Sequence, residues 1–188
     1  MPTRNTSSGD PARSLALLWR TQEPVSRRSK PDLSVDRIVA TASEMADTDG
    51  LGALSMRKVA ERLGVGTMSL YTYVPGKGEL VDLMLDAAYA DMYAGEEHPE
   101  DWRDRLSAVA RANWRLFLRH PWMLQTPRGR LLGPHFLAKY EYELSAVEGL
   151  GLTDMEMDST INLVNSYAEG AAAQAVAGGE SQRTSGMT

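Results

Sequence analysis

Apolar residues recur along this chain with the spacing of amphipathic helices. Between Ser34 and Asp47 they stand three and four positions apart, on one face of a helix: Val35, Ile38, Val39, Ala42, Met45 and Ala46. Ser34 is a suitable N-cap, and Gly50 permits the left-handed turn that ends a helix. The same periodicity predicts further helices at about residues 55–63, 67–73, 79–93, 102–119, 134–147 and 154–177. The chain is therefore predicted to be all-α.

Two of the predicted helices, 55–63 and 67–73, are short and meet at a tight turn. Their junction contains a small residue, a residue suited to a left-handed turn and two aliphatic residues, namely Ala60, Gly64, Val65 and Leu70. Two helices that cross at close range need these residue types. The layout is that of a helix-turn-helix, whose second helix enters the major groove of DNA.

The second of these helices is predicted to expose hydroxyls, phenols and a thioether: Thr67, Met68, Ser69, Tyr71, Thr72 and Tyr73. Hydroxyls bond to phosphates or base edges, and a thioether can meet a thymine methyl group. The sequence has no acidic residue from Gly64 to Gly78. Arg57 lies in the first turn of the preceding helix, against the helix dipole, which favours an external anion over an ordinary solvated face. Lys77, at the start of the next helix, is placed to hold a phosphate.

Charge is divided unevenly along the chain. Residues 1–78 carry 11 Lys or Arg and 8 Asp or Glu, whereas residues 79–188 carry 9 and 17. A basic N-terminal part and an acidic C-terminal part fit a protein that brings only its N-terminal part to a polyanion. Residues 1–31 are predicted to be a flexible arm, in which Leu15 to Arg20 forms a helical turn or a docking patch. The cluster Arg27, Arg28 and Lys30 in this arm either contacts DNA or is simply solvated.

The run LGVGTMSLYTYVPGKGELVDLML resembles the helix-turn-helix of the tetracycline-repressor (TetR) family of bacterial regulators. Leu70-Tyr71-Thr72-Tyr73, Lys77 and Glu79-Leu80 stand at the family's characteristic places, and the preceding helices also match. The resemblance implies a DNA-binding regulator. It implies DNA contacts by Arg57, Thr67, Ser69, Tyr71, Thr72, Tyr73 and Lys77.

The C-terminal part carries wide apolar side chains beside breaks in its helices. Core packing and a ligand pocket both fit this set, which comprises Trp102, Asn113, Trp114, Phe117, His120, Trp122 and Met123. Asn113 lies on an apolar face, where a buried amide must find a partner. The HPW and LLGP runs and the Ala-rich end also resemble the TetR ligand-binding domain. That resemblance implies a homodimer formed through the last two helices.

Several kinds of chemistry are excluded or disfavoured. The chain has no cysteine, and its three histidines lack metal-ligand spacing. It contains no Walker loop, no GxGxxG and no Gly-x-Ser-x-Gly. The carboxylate pairs Asp101/Asp104 and Glu141/Glu143 are interpreted as solvated surface. We therefore expect no catalytic site, metal or cofactor. No apolar run approaches the roughly 20 residues of a membrane span, so we expect a cytoplasmic protein.

These observations predict four segments: an N-terminal arm (1–31), a three-helix DNA-binding domain (32–78), a helical ligand-binding and dimerisation domain (79–177) and a flexible tail (178–188). The predicted function is a homodimeric repressor that binds a palindromic DNA operator and is released by a small, mostly apolar effector. Two alternatives are a constitutive DNA-binding dimer and a helical small-molecule-binding protein or enzyme with a vestigial helix-turn-helix. The end at Gly-Met-Thr also leads us to expect a truncated chain.

Overall fold

The structure, a computed structural model, describes residues 11–21, 33–95, 97, 99–126 and 133–185. Within these ranges every regular element is helical, which confirms the predicted all-α class. The α-helices are α1 (Pro11–Leu18), α2 (Val35–Asp49), α3 (Met56–Leu63), α4 (Thr67–Tyr73), α5 (Lys77–Tyr89), α6 (Trp102–Arg119), α7 (Pro134–Ser145) and α8 (Asp154–Ser185). Two 3₁₀ turns, Leu51–Ala53 and Pro121–Gln125, stand between them. One compact unit comprises Met1–Tyr89 with Pro127–Phe136, and a second comprises Ala90–Thr126 with Leu137–Thr188.

The core of the first unit forms around α2. Ser34 begins this helix, because its hydroxyl oxygen accepts a hydrogen bond from the Arg37 N–H at 3.2 Å. Ile38 and Ala42 are fully buried, and α2 packs against α3 and α5. Gly50 ends the helix with a φ of 79°, a conformation that glycine adopts without a steric penalty. The predicted cap, apolar face and terminator are all confirmed.

The helix α1 lies in the segment predicted to be a flexible arm, where a helical turn or docking patch was expected only at Leu15 to Arg20. Its Leu17 and Leu18 are buried, and the helix packs against α5. Arg20, just after α1, forms an ion pair with Asp36 in the first turn of α2. The reason is tertiary: two adjacent leucines give no helical period, and the surface of α5 makes their burial favourable. The predicted basic cluster of Arg27, Arg28 and Lys30 lies outside the described residues.

The first turn of α7 is capped by a side chain of α5. The Asp86 carboxylate accepts a hydrogen bond at 2.9 Å from the backbone N–H of Phe136, the third residue of α7. This carboxylate is buried, and a negative charge is favoured at the N-terminal end of a helix. Gly133 lies so close that a Cβ there would overlap the carboxylate. The rings of Tyr89 and Phe136 complete the contact, with centroids 5.9 Å apart.

The second unit is built on the packing of α6 along α8. Its fully buried apolar residues include Val109, Trp122, Ile161 and Ala172. A capping box begins α8: the Thr153 N–H donates to Glu156 Oε2 at 2.8 Å, and Thr153 Oγ1 accepts from the Glu156 N–H at 3.4 Å. The Thr153 hydroxyl also donates to Glu156 Oε2 at 2.8 Å, and the backbone and side-chain bonds from Thr153 to this carboxylate lower the pKa of Glu156. The start of α8 is therefore fixed by local chemistry.

Helix ends account for the remaining differences from the sequence. The helices α5 and α7 end at Tyr89 and Ser145, a few residues before the predicted positions. The helix α8 continues through Gly178 and Gly179 to Ser185, so the predicted tail is wrong for residues 178–185. Each glycine costs a helix about 1 kcal/mol, but extension of an existing helix needs no new nucleus. None of the described helices, α8 included, is long and apolar enough to cross a bilayer.

The substitution Gly133→Ala should destabilise the protein. The new Cβ would push Asp86 away from the Phe136 N–H, and overpacking of this kind costs about 1–3 kcal/mol of unfolding free energy. Gly52→Ala is the matched control, because a Cβ at Gly52 would have no atom within 4 Å. Urea unfolding followed by circular dichroism measures both variants. Equal midpoints for the two would contradict the capping contact.

Candidate nucleic-acid interface and buried polar cluster

Backbone hydrogen bonds close the junction between α3 and α4. Gly64 has a left-handed conformation, with φ 69° and ψ 32°, and its N–H donates to the Glu61 carbonyl at 3.1 Å. The Val65 N–H donates to the Ala60 carbonyl at 3.0 Å. These bonds satisfy the last carbonyls of α3 and turn the chain directly into α4. Leu70, which is fully buried, anchors α4 from the inside.

The outer side of α4 is neutral and polar. The residues that reach the surface are Thr67 (half-buried), Met68, Ser69, Tyr71 and Thr72. Met68 is the most exposed of the apolar ones, with 78% of its surface open. Because the sequence from Gly64 to Gly78 has no carboxylate, this side of α4 carries no charge that would repel a phosphate backbone. We call these five residues the α4 face.

Tyr73 does not belong to the α4 face, because only 8% of its surface is exposed. It follows Leu70 by three residues, so both lie on the inner side of this two-turn helix. The prediction that Tyr73 is exposed is therefore wrong. Its role as a DNA contact stays a prediction.

Arg57 lies on the exposed side of α3. Its Nε donates to Glu61 Oε1 at 2.8 Å, one helical turn away. This hydrogen bond to Glu61 raises the pKa of Arg57, so its guanidinium keeps its charge at every physiological pH. Exposed pairs of this kind contribute little to stability. The guanidinium can therefore exchange Glu61 for a phosphate at small cost.

Lys77 has a structural contact that the sequence did not indicate. Its side chain is half-buried, and its Nζ donates to the Leu51 carbonyl oxygen at 3.2 Å. This bond ties the start of α5 to the 3₁₀ turn Leu51–Ala53. An ammonium has three donors, so the bond leaves capacity for a phosphate contact. Lys77 thus positions α5 whether or not it also meets DNA.

The seven candidate ligand residues differ in their exposure. Trp122 and Met123 are buried, Phe117 and His120 are half-buried, and Trp102 and Trp114 are exposed. The His120 and Trp122 rings meet edge to face, with centroids 6.1 Å apart. Trp102 instead contacts the guanidinium of Arg103, 4.2 Å from its ring centroid. The set is therefore not one enclosed apolar group.

Asn113, the seventh candidate, is buried beside a carboxylate that the sequence assigned to the surface. Glu143 is 0% exposed, so that assignment is wrong. Its Oε1 accepts from Asn113 Nδ2 at 2.6 Å and from the Tyr93 hydroxyl at 2.8 Å. Its Oε2 accepts from Lys139 Nζ at 2.7 Å and from Asn165 Nδ2 at 2.9 Å. We call these five residues the Glu143 cluster.

The Glu143 cluster joins α6, α7, α8 and the turn after α5. Burial lowers the pKa of Lys139, and the Glu143 charge opposes that shift. The pattern that assigned Glu143 to the surface pairs it only with Glu141, two positions away, where side chains on a helix do not meet. The spacing of four between Lys139 and Glu143 was the informative one, because it places the two charges on one face.

A second polar contact joins α7 to α8. The Tyr140 hydroxyl donates to Asp158, which also accepts from Asn162 Nδ2 at 2.9 Å. The hydrogen bond to Asp158 raises the pKa of Tyr140 to about 12. The phenol therefore stays protonated at physiological pH and keeps its donor role.

Sequence comparisons match both halves of the chain to known families. Residues 38–84 match the family of bacterial regulatory proteins, tetR family, and residues 94–187 match the tetracyclin repressor-like, C-terminal domain. The repressor DrrR1 of Streptomyces coeruleorubidus is 46% identical over 99% of this chain and 70% of its own length. An HTH-type transcriptional regulator of Saccharopolyspora erythraea is 35% identical over 88% of this chain and 69% of its own.

Solved structures give a consistent result. ActR of Streptomyces coelicolor, a TetR family protein crystallised in complex with actinorhodin, aligns with a TM-score of 0.70 and 31% identity. The alignment covers 77% of this chain and 68% of ActR. BioQ bound to its double-stranded DNA operator aligns with a TM-score of 0.62 at 22% identity, which supports the fold alone.

The single substitution Glu143→Leu should lower the unfolding free energy by about 3–5 kcal/mol, because the buried ammonium of Lys139 would lose its carboxylate. The double variant Lys139→Met/Glu143→Leu removes both charges and should recover the part of that loss that comes from the unpaired ammonium, while Tyr93, Asn113 and Asn165 still lack their acceptor. Thermal unfolding by calorimetry measures both. A double variant no more stable than the single one would contradict the pairing as the source of the loss.

Proposed function

The chain belongs to the tetR family of bacterial transcriptional regulators, and we propose that it is a repressor that binds a palindromic operator as a homodimer and is released by a small, mostly apolar effector. The α4 face carries this proposal, because it is exposed, free of acidic residues and held by a closed helix-turn-helix junction. Relatives and fold identify a regulator, not an enzyme, so the alternative of an enzyme with a vestigial motif is wrong. Because operators lie in the bacterial cytoplasm, the proposal places the protein there.

The proposed recognition is divided between base readout and phosphate contact. Ser69 and Thr72 offer hydroxyls to base edges, and Met68 would bury its exposed thioether against a thymine methyl. Phosphate contacts fall to groups beside the α4 face, chiefly Arg57 and Lys77. Thr67, the first residue of α4, offers a further hydroxyl for a phosphate.

The proposed dimer forms through the exposed side of α8. Met155, Leu163 and Tyr167 are 79%, 72% and 76% exposed, and their spacings of eight and four place them in one stripe. Gly170, Ala173 and Ala177 continue the exposed side toward the C-terminal end, where small residues allow a second helix to approach closely. A stripe of this kind can pair with the same stripe of a second copy about a two-fold axis. The recognition helices of the two copies would then meet successive major grooves, roughly 34–36 Å apart.

The effector part of the proposal is supported by ActR. That protein has been crystallised with actinorhodin and with (S)-DNPA, and it is about 30% identical to this chain. In this chain the candidates for an effector site include Trp122 and Met123, which are buried, and Phe117, which is half-buried. A ligand that binds better to the arrangement with low DNA affinity would shift the population away from the operator.

The substitutions Lys77→Ala and Ser69→Ala should weaken DNA binding in different ways. Loss of a phosphate contact at Lys77 should weaken binding to all sequences and lower the salt slope by about one unit. Loss of the Ser69 hydroxyl should change the base preference and leave the slope unchanged. Fluorescence anisotropy over a salt series, with single-base changes in the operator, measures both effects.

The reference for these variants is the unaltered protein on its own promoter region, where binding should be about 10³-fold tighter than to random DNA. Thr48→Ala, which removes an exposed hydroxyl at the end of α2, is the control and should match the unaltered protein. Equal affinity for promoter and random DNA would contradict the proposal. An unchanged base preference in Ser69→Ala would contradict the assignment of α4 as the reader. A small-molecule screen for operator release separates the effector-controlled repressor from a constitutive one.

The double variant Leu163→Asp/Tyr167→Asp should raise the dimer dissociation constant by about 100-fold or more, because like charges would face each other across the two-fold axis. Sedimentation velocity over a concentration series measures this constant. Leu15→Asp, which alters an exposed leucine of the first unit, is the control and should leave it unchanged. A dimer that persists in the α8 variant would show that another surface forms the interface.

A further inference from the structure

Asn165 in the Glu143 cluster has an acceptor that the cluster does not use. Its Nδ2 donates to Glu143 Oε2, which fixes the amide orientation, because the opposite orientation would place two oxygens together. Its Oδ1 therefore points away from Glu143. Among the described residues, this buried oxygen has no hydrogen-bond partner. A buried acceptor without a donor costs free energy until one reaches it.

The charges of the cluster are already balanced. Lys139 and Glu143 carry one charge of each sign, 2.7 Å apart. Each oxygen of the carboxylate accepts two hydrogen bonds. Because this pair has no net charge, it gives neither a cationic nor an anionic ligand a net attraction. What the cluster offers a ligand is thus a neutral acceptor, Asn165 Oδ1, which favours a ligand with a neutral hydrogen-bond donor.

The Glu143 cluster has buried apolar and aromatic neighbours. Ile161, one turn before Asn165 on α8, is fully buried, as is Val109, one turn before Asn113 on α6. Tyr93, which donates to Glu143, stacks on Tyr142 with ring centroids 4.1 Å apart. A planar, largely apolar molecule matches these surfaces better than a strongly hydrated one.

We propose that Asn165 is the polar anchor of the effector site, and that the effector is a neutral, mostly apolar ring compound whose hydroxyl or N–H donates to Asn165 Oδ1. The inference rests on the proposed function for the existence of an effector, but the anchor and the ligand class are independent of DNA binding. Because Oδ1 is sealed from solvent here, a ligand reaches it only in a conformation in which the surrounding helices have moved. Binding therefore favours that conformation, as an effector must.

The test uses two probes that share a ring system and differ in one donor, 2-naphthol and 2-methoxynaphthalene. The unaltered protein should bind 2-naphthol about tenfold more tightly, the upper range for one neutral hydrogen bond. In Asn165→Leu the two affinities should become equal. Asn162→Leu, which removes an exposed amide of the same helix, should keep the preference. Isothermal titration calorimetry measures all six affinities, and circular dichroism checks folding, with Asn165→Ala as the replacement should the leucine variant not fold.

Equal affinities in the unaltered protein, binding of neither probe, or a preference that survives in both Asn165 variants would overturn the proposal. Operator binding is measured separately, without probes. If the operator is bound and the probe preference is absent, the anchor is wrong and the repressor proposal stands. If the preference is present and the operator is not bound, the anchor stands and the repressor proposal fails.

Discussion

The second unit depends on the hydrogen bonds of one buried carboxylate. Taking a charge out of water costs several kcal/mol, and Glu143 offsets that cost with bonds whose donors come from α6, α7, α8 and the turn after α5. The apolar contact between α6 and α8 is non-directional and tolerates small slides. Hydrogen bonds do not, because they weaken steeply with distance and angle. The apolar surfaces hold these helices together, and Glu143 sets their register.

Whereas the second unit is organised by a buried charge, the α4 face of the first unit has no charge at all. Neutral hydroxyls and a thioether can distinguish bases, but they gain little from the phosphate backbone. Affinity must therefore come from neighbours such as Arg57 and Lys77, each of which has another partner within the protein. A single copy of this unit would therefore make few strong contacts with DNA. In the proposed dimer, the exposed stripe of α8 contributes to recognition as much as α4 does, because it joins two weakly binding α4 faces in one molecule.

The sequence was sufficient to predict a structural feature wherever neighbouring residues determine that feature. The apolar period of α2, the Ser34 cap and the left-handed Gly64 were all readable from neighbouring residues, and so was the family. It was insufficient wherever a distant surface decided the outcome. The leucines of α1, for example, are buried by α5. Glu143 was misassigned for the same reason, since three of its four donors lie on other elements. Tyr73 is an exception, because its spacing of three from Leu70 is local and places it on the inner side of α4. The residues predicted for DNA and ligand contact stay predictions, because exposure does not identify a partner.

The cap of α7 has a consequence for the order in which the chain folds. Four of the eight described α-helices, namely α2, α3, α6 and α8, begin with a serine, threonine or aspartate cap of their own, so their first turns can form as soon as they are synthesised. The α7 helix begins with Gly133 and Pro134, and its carboxylate cap is Asp86, fifty residues upstream of Phe136. Closing a loop of that length is slow compared with local helix formation. The start of α7 is therefore a late event in folding, and it waits for α5 to be in place.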